Sequence, residues 1–256
     1  IAWLATRWYL KVESFSKLSL AQAVGIAVLI GNPFMAHSVF EGQITLPAVA
    51  LLFLSGRAYR SHHWILAGVL FGIISIKPQL CIFYGLWLVL DRQWRILTVG
   101  TATVAIMLIP SVIVVGGNEA FLSWFQSLQH YKTMPANQAG SFHVVGIESF
   151  LVAMGITNIA WFTYSLGLVV FSALYWKRTH FDDFVLVNGF LLIAMTFLFG
   201  HDTGYAGIMM VWSFLLYIAL NRGFGPTLFI VTALLLAFFF PPRFLRAIDL
   251  PALPHP

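Results

Sequence analysis

Apolar runs follow one another along almost the whole chain, parted by short polar breaks that carry glycine, proline and most of the basic residues. The pattern predicts a helix end at 1–10 and helices near 18–31, 43–57, 63–77, 79–90 and 95–115. After a long non-spanning stretch it predicts four more, near 158–176, 184–200, 204–221 and 226–240. Repetition of this kind predicts an all-α fold, a polytopic transmembrane helical bundle of about nine membrane helices, since an open sheet could not satisfy its backbone in hydrocarbon. Residues 1–256 read as a single integral membrane domain. Within the non-spanning 116–157 segment, Phe121, Trp124, Phe125 and Leu128 recur at helical spacing, while Gln126, Gln129 and His130 fall elsewhere on the wheel. Asn118 to Tyr131 is therefore expected as a helix, lying either in the interface plane or packed on the bundle.

One junction decides much of the topology. Residues 63–90 could form one kinked helix with Lys77-Pro78 at the bilayer centre, or a hairpin in which Pro78 opens the second helix. The hairpin is preferred because proline is at home in a first helical turn, and because the alternative buries a lysine. The helices near 43–57, 63–77 and 79–90 are shorter than the roughly 20 residues a span requires. Short helices that stop below the surface leave a recess lined by their ends, suited to a lipid-linked substrate.

Composition supports the membrane reading: 60% of residues are hydrophobic, 9% are charged, and mean hydropathy is +0.87. The formal net charge of +5 is spread among the breaks and fits membrane orientation better than nucleic-acid binding. If the 11–17 loop is cytoplasmic, alternation places Arg7, Lys11, Lys17, Arg57, Arg60, Arg92, Arg95, Lys177, Arg178 and Arg222 inside. Lys77, Lys132, Arg243 and Arg246 fall outside. Cys81 is the single cysteine, so no internal disulfide is possible. The chain opens on Ile1 within an apolar run that lacks the marks of a signal peptide, and is expected to be part of a longer protein that precedes it. The tail at 241–256, rich in proline, reads as an irregular outer segment.

Several ionisable residues interrupt or flank these apolar runs: His37, Glu41, Lys77, His201 and Asp202. Each is costly in hydrocarbon unless it lines a protein-enclosed or wet site, which makes it a functional candidate. The topology gathers them at the outer face with Asn32, Gln43, Gln79 and the 116–157 segment. Each also has a plainer reading: Lys77 as a snorkelling lysine, Glu41 as a charge favoured at a helix start, His201-Asp202 as a solvated loop. His37, His130, His143 and His201 share that face without metal-ligand spacing, so no metal is expected. No phosphate-binding loop or dinucleotide fingerprint occurs, and no cofactor is expected. Gly68 and Gly72 form a small-residue face for close helix contact.

Read in order, Glu41-Gly42-Gln43-Ile44-Thr45-Leu46, Arg57, Ala67-Gly68, Lys77-Pro78-Gln79 and Arg92-Gln93-Trp94-Arg95 resemble glycosyltransferase family 87, polyprenyl-phosphate-sugar-dependent transferases of the GT-C type. Gly200-His201-Asp202-Thr203-Gly204-Tyr205 resembles the family's His-Asp turn before a late helix, though without its usual proline and serine. The resemblance covers most of residues 30–220. It implies inverting transfer of a sugar, mannose by analogy, from a polyprenyl-phosphate donor to a lipid or glycan acceptor. The reaction would take place at the extracytoplasmic face of a bacterial cytoplasmic membrane. It implies Lys77 at the donor phosphate, His201 at phosphate or sugar, Asp202 orienting His201 or contacting sugar hydroxyls, and Gln43 and Gln79 as hydrogen-bonding partners. The acidic base of such enzymes follows their first helix and is expected to precede residue 1, with Glu41 the nearest substitute. Two other classes compete. A secondary transporter or flippase would need a midplane site between repeated halves, and no internal repeat stands out. A non-catalytic membrane scaffold would point the same polar residues into headgroups and water.

Overall fold

The computed structural model describes residues 44–139, 141, 144–180, 183–198 and 200–201. The spans expected at 1–10, 18–31, 204–221 and 226–240, and the 241–256 tail, lie outside these residues. The fold is all-α. Its helices are α1 (Thr45–Arg60), α2 (Trp64–Ile74), α3 (Pro78–Leu90), α4 (Trp94–Val115), α5 (Gly117–Thr133), α6 (Ile147–Ala153), α7 (Ala160–Trp176) and α8 (Asp183–Phe197). Two strands of two residues each, β1 (Val144–Val145) and β2 (Gly200–His201), pair antiparallel, with Val144 opposite His201 and Val145 opposite Gly200. The 116–157 stretch contains the expected amphipathic helix as α5, and Phe121, Trp124 and Phe125 on it are exposed. Gly116, at φ +94°, makes the corner between α4 and α5, a conformation that favours glycine.

Residues 63–90 form the hairpin. Proline opens α3 at its first turn, and the chain returns far enough for Phe71 of α2 to lie 5.8 Å from Tyr84 of α3, centroid to centroid. Tyr59 meets Trp64 at 6.4 Å and Trp87 at 5.1 Å, so the start of α2 and the end of α3 share one neighbour. Ser55 fastens the three helices: its hydroxyl donates to the Ala67 carbonyl at 2.9 Å and lies 3.1 Å from the Tyr84 hydroxyl, all buried.

The other helices alternate around this frame. Gly56 of α1 approaches Val187 near the start of α8, Gly189 approaches Leu174 on α7, and Gly167 of α7 approaches Phe197 at the end of α8. Trp87, Phe171 and Phe190 join α3, α7 and α8 through their rings. The core is therefore aromatic and glycine-notched, as expected where helix contact depends on close backbone approach. The small-residue face expected of Gly68 and Gly72 packs against α4: a Cβ on Gly72 would stand 2.6 Å from Thr103 Cβ, and one on Gly68 equally close to Val99 Cβ.

These contacts sort the helix ends. Arg57, Arg60, Arg92, Arg95, Lys177 and Arg178 fall at or beside helix ends on one side of the bundle. There Asp91 binds Arg178 at 3.3 Å and accepts a hydrogen bond from the Tyr175 hydroxyl at 2.9 Å, while the Arg178 guanidinium lies 4.0 Å over the Tyr175 ring. The start of α1, the Lys77 turn, the start of α7, the end of α8 and the strand pair fall on the other side. Among the described residues, α4 alone is both long and apolar enough to cross a membrane. Helices α2, α3 and α7 are apolar but shorter. Much of α4 is exposed, including Ile106, Leu108, Ile109, Ile113 and Val114.

Candidate functional site

The turn between α2 and α3 is where proline, lysine and the helix ends meet. Backbone N–H groups at Ser75, Ile76 and Lys77 bond back to the last carbonyls of α2, and the Lys77 carbonyl accepts from the Leu80 N–H. The turn thus satisfies its own backbone and aims one long cationic side chain across the start of α1. The Lys77 ammonium donates to the hydroxyl of Thr45, which is almost wholly buried at the first residue of α1. Lys77 itself is half-buried. A snorkelling lysine would reach away from the bundle; this one reaches inward and is held. Gln79, also half-buried, stands in the first turn of α3 two residues on.

His201 was expected in a turn with Asp202. Its backbone instead lies in β2, paired with Val144, because the segment before α6 offers it an antiparallel partner. That pairing brings the 144–149 segment to the Lys77 side of the bundle. Gly146, at φ +114°, presses its backbone to the end of α8, where a Cβ would stand 3.0 Å from the Thr196 carbonyl oxygen. The Ser149 hydroxyl donates to the Val144 carbonyl at 2.8 Å and locks the start of α6 against β1. Glu41, Gln43 and Asp202 lie outside the described residues, as does His37.

Two residues at this end have no role assigned to them from the sequence. Thr45 carries no charge, and its role depends on a partner 32 positions away. Glu148 did carry the signal used for Lys77, an ionisable residue in an apolar run (Val144-Val145-Gly146-Ile147-Glu148-Ser149-Phe150-Leu151), but sits beyond the amphipathic stretch. Burial pushes the Glu148 carboxyl above the usual carboxylate range. No group of three or more His, Cys, Asp or Glu gathers as a metal site among the described residues.

A cation held at a junction of short apolar helices can bind an anionic group. Residues 1–201 match glycosyltransferase family 87, and the chain belongs to that family. It is a glycosyltransferase by that membership, and enzymes of this family are generally membrane proteins. No curated protein and no solved structure matches the chain.

Proposed function

We propose that this glycosyltransferase takes a sugar, mannose in our reading, from a polyprenyl-phosphate donor and passes it to a hydroxyl of a glycolipid or glycan. The fold would be a polytopic bundle of the GT-C type in a bacterial cytoplasmic membrane. The charge distribution supports the orientation: six basic residues fall on one side of the bundle, which the positive-inside rule assigns to the cytoplasm, and Lys77 with the strand pair falls on the other. The active face is then extracytoplasmic, and the 116–157 segment lies outside with α5 at the interface. The exposed apolar surface of α4, continuing onto Phe121, Trp124 and Phe125 of α5, faces lipid in this arrangement.

The chemistry follows from what the reaction must manage. The acceptor oxygen forms a bond to the anomeric carbon from the face opposite the phosphate, the bond from that carbon to the phosphate oxygen breaks, and the configuration inverts. The acceptor proton passes to a carboxylate. Charge stays on the departing polyprenyl phosphate, and a preplaced cation stabilises it most where water is scarce. Lys77 supplies that cation as a point charge. His201 contacts the phosphate or sugar, Asp202 orients it, and Gln43 and Gln79 complete the hydrogen bonding. The observation that carries this reading is the inward-held Lys77 ammonium on Thr45, at the end opposite the basic cluster.

The test is transfer of labelled mannose from polyprenyl-phosphate-mannose to membrane lipids by the protein and by its Lys77→Ala variant. Removing one preplaced charge stabiliser is expected to cost about a hundred-fold or more in rate. Transfer by Lys77→Ala within two-fold of the parent would refute the assignment of Lys77. Absence of transfer and of donor binding by the parent would refute the donor class.

A further inference from the structure

Two turns at the basic end are built alike. At the close of α1 the Ser61, His62 and His63 N–H groups donate to the carbonyls of Arg57, Tyr59 and Ala58. At the close of α3 the Asp91, Arg92 and Gln93 N–H groups donate in the same pattern to Trp87, Val89 and Leu88. A tryptophan then opens the next helix, Trp64 in α2 and Trp94 in α4. This is a helix stop that ordinarily carries glycine at its left-handed residue. Here that residue is His62, at φ +59°, and Arg92, at φ +54°. Glycine would hold either turn with less strain, so both side chains are kept at some cost to stability.

The two turns lie side by side. Gly68 meets Ile96 and Val99 while Gly72 meets Gly100 and Thr103, so α2 and α4 run parallel and in contact from near their starts. The equivalent tryptophans differ in their surroundings. Trp64 is half-buried beside Tyr59 at 6.4 Å and His62 at 5.1 Å, whereas Trp94 is 59% exposed. Arg92 and Arg95 next to it are exposed, as are Ile65 (72%) and Leu66 in the first turn of α2. The end of α7 extends the strip. Arg178 binds Asp91, the neighbour of Arg92 in the chain, and with it come the exposed Lys177 and Trp176. Asp91 is matched by that pair, and the one further carboxylate at this end, Asp183 at the start of α8, leaves the strip positive among the described residues.

Cations at helix ends, with exposed apolar side chains beside them, repeat the layering of a phospholipid, phosphate outermost and acyl chain beneath. Guanidinium groups take phosphate oxygens two at a time, and an indole ring settles at headgroup level. A free phosphate would use the cations alone and leave Ile65, Leu66 and Trp94 in water.

We propose that the starts of α2 and α4, with Lys177 at the end of α7, form a seat for an anionic phospholipid of the leaflet on the basic side. The inference rests on the membrane placement given above and is independent of the donor and its sugar.

Energy transfer from protein tryptophan reads the seat in phosphatidylcholine vesicles that carry a trace of pyrene-labelled phosphatidylglycerol or pyrene-labelled phosphatidylcholine. The parent should favour the phosphatidylglycerol probe, and Arg95→Gln should lower that preference about five-fold. Arg92→Gly should lose as much while melting no lower than the parent, because glycine relaxes the left-handed residue. Unchanged preference in both variants would overturn the seat. So would an equal loss in Lys132→Gln, which removes the same charge from α5. A preference abolished by phosphate but not by chloride at equal ionic strength would give the strip to free phosphate instead. A parent that floats with the vesicles but shows no preference overturns the seat alone; one that fails to float with them overturns the membrane placement as well.

Discussion

Replacing Gly72 with alanine should destabilise this protein, and the sign of the effect is the informative part. Gly72 lies within α2, where alanine is the better helix former by about 1 kcal/mol, so a loosely packed site would gain stability from the change. The structure requires the opposite. A methyl group at Gly72 would stand 2.6 Å from Thr103 Cβ and 2.7 Å from the Gly100 carbonyl oxygen. Carbon contacts settle at about 3.5–4.0 Å, so α2 and α4 must part by roughly 1 Å along their shared face. The Gly100 carbonyl is backbone and cannot swing aside. Gly68, one turn earlier, is pinned in the same way against Val99 and the Ile96 carbonyl, which denies the helices a tilt as an escape. Overpacking of this order costs about 1–3 kcal/mol and exceeds the propensity gain. At this chain length each kcal/mol moves the midpoint by about 2–4 °C. Thermal unfolding of purified protein in one detergent should show Gly72→Ala melting several degrees below the parent, and Gly72→Leu lower still. Gly117→Ala, whose methyl would meet Val112 Cγ1 at an ordinary 3.7 Å and nothing nearer among the described residues, serves as the control and should melt with the parent. A Gly72→Ala variant that melts at or above the parent would refute the close α2–α4 contact.

At the basic end, Asp91→Ala should cost about 1–3 kcal/mol, because it strips the Tyr175 hydroxyl and Arg178 of their shared acceptor, and should leave lipid binding at the opposite end unchanged. Thermal melting alongside a donor-binding titration checks both halves. Glu148 should impose a pH signature on stability. Its folded carboxyl titrates above its unfolded value, so the folded state holds more protons in that window and its stability falls as pH rises through it. Glu148→Gln should therefore match the parent below the ordinary carboxylate range and melt slightly higher at neutral pH; a parent that gains stability relative to Glu148→Gln as pH rises would refute the burial argument.

Much of this architecture was written locally. Helix limits followed glycine and proline, and Pro78 opened α3 because its missing N–H costs nothing in a first turn. The four-residue spacing of Gly68 and Gly72 announced a helix contact because small residues repeat on one face only when something approaches it. The amphipathic wheel around Phe121 and Trp124 was equally local. What escaped was long-range. A ladder of two residues has no periodicity to detect, so His201 was read as a turn. The Lys77–Thr45 bond joins a charge to a hydroxyl with nothing apparent in its own surroundings. At the site, Lys77, Gln79 and His201 could be named from sequence as chemistry, whereas Thr45 and Glu148 acquire meaning only from the elements folded against them.

The pairing of Val144 with His201 also sets a sequence of events during biosynthesis. Its two strands flank α6, α7 and α8, so the first cannot find its partner until all three helices have been made. The contacts of α1, α2 and α4 involve segments much closer in the chain and can close while the ribosome is still translating. The hairpin end carrying Lys77 is therefore assembled early, and the strand that brings the His201 backbone to the same end is delivered later. A nascent chain arrested within α8 would already hold the Lys77–Thr45 contact while Val144 still lacked its strand partner.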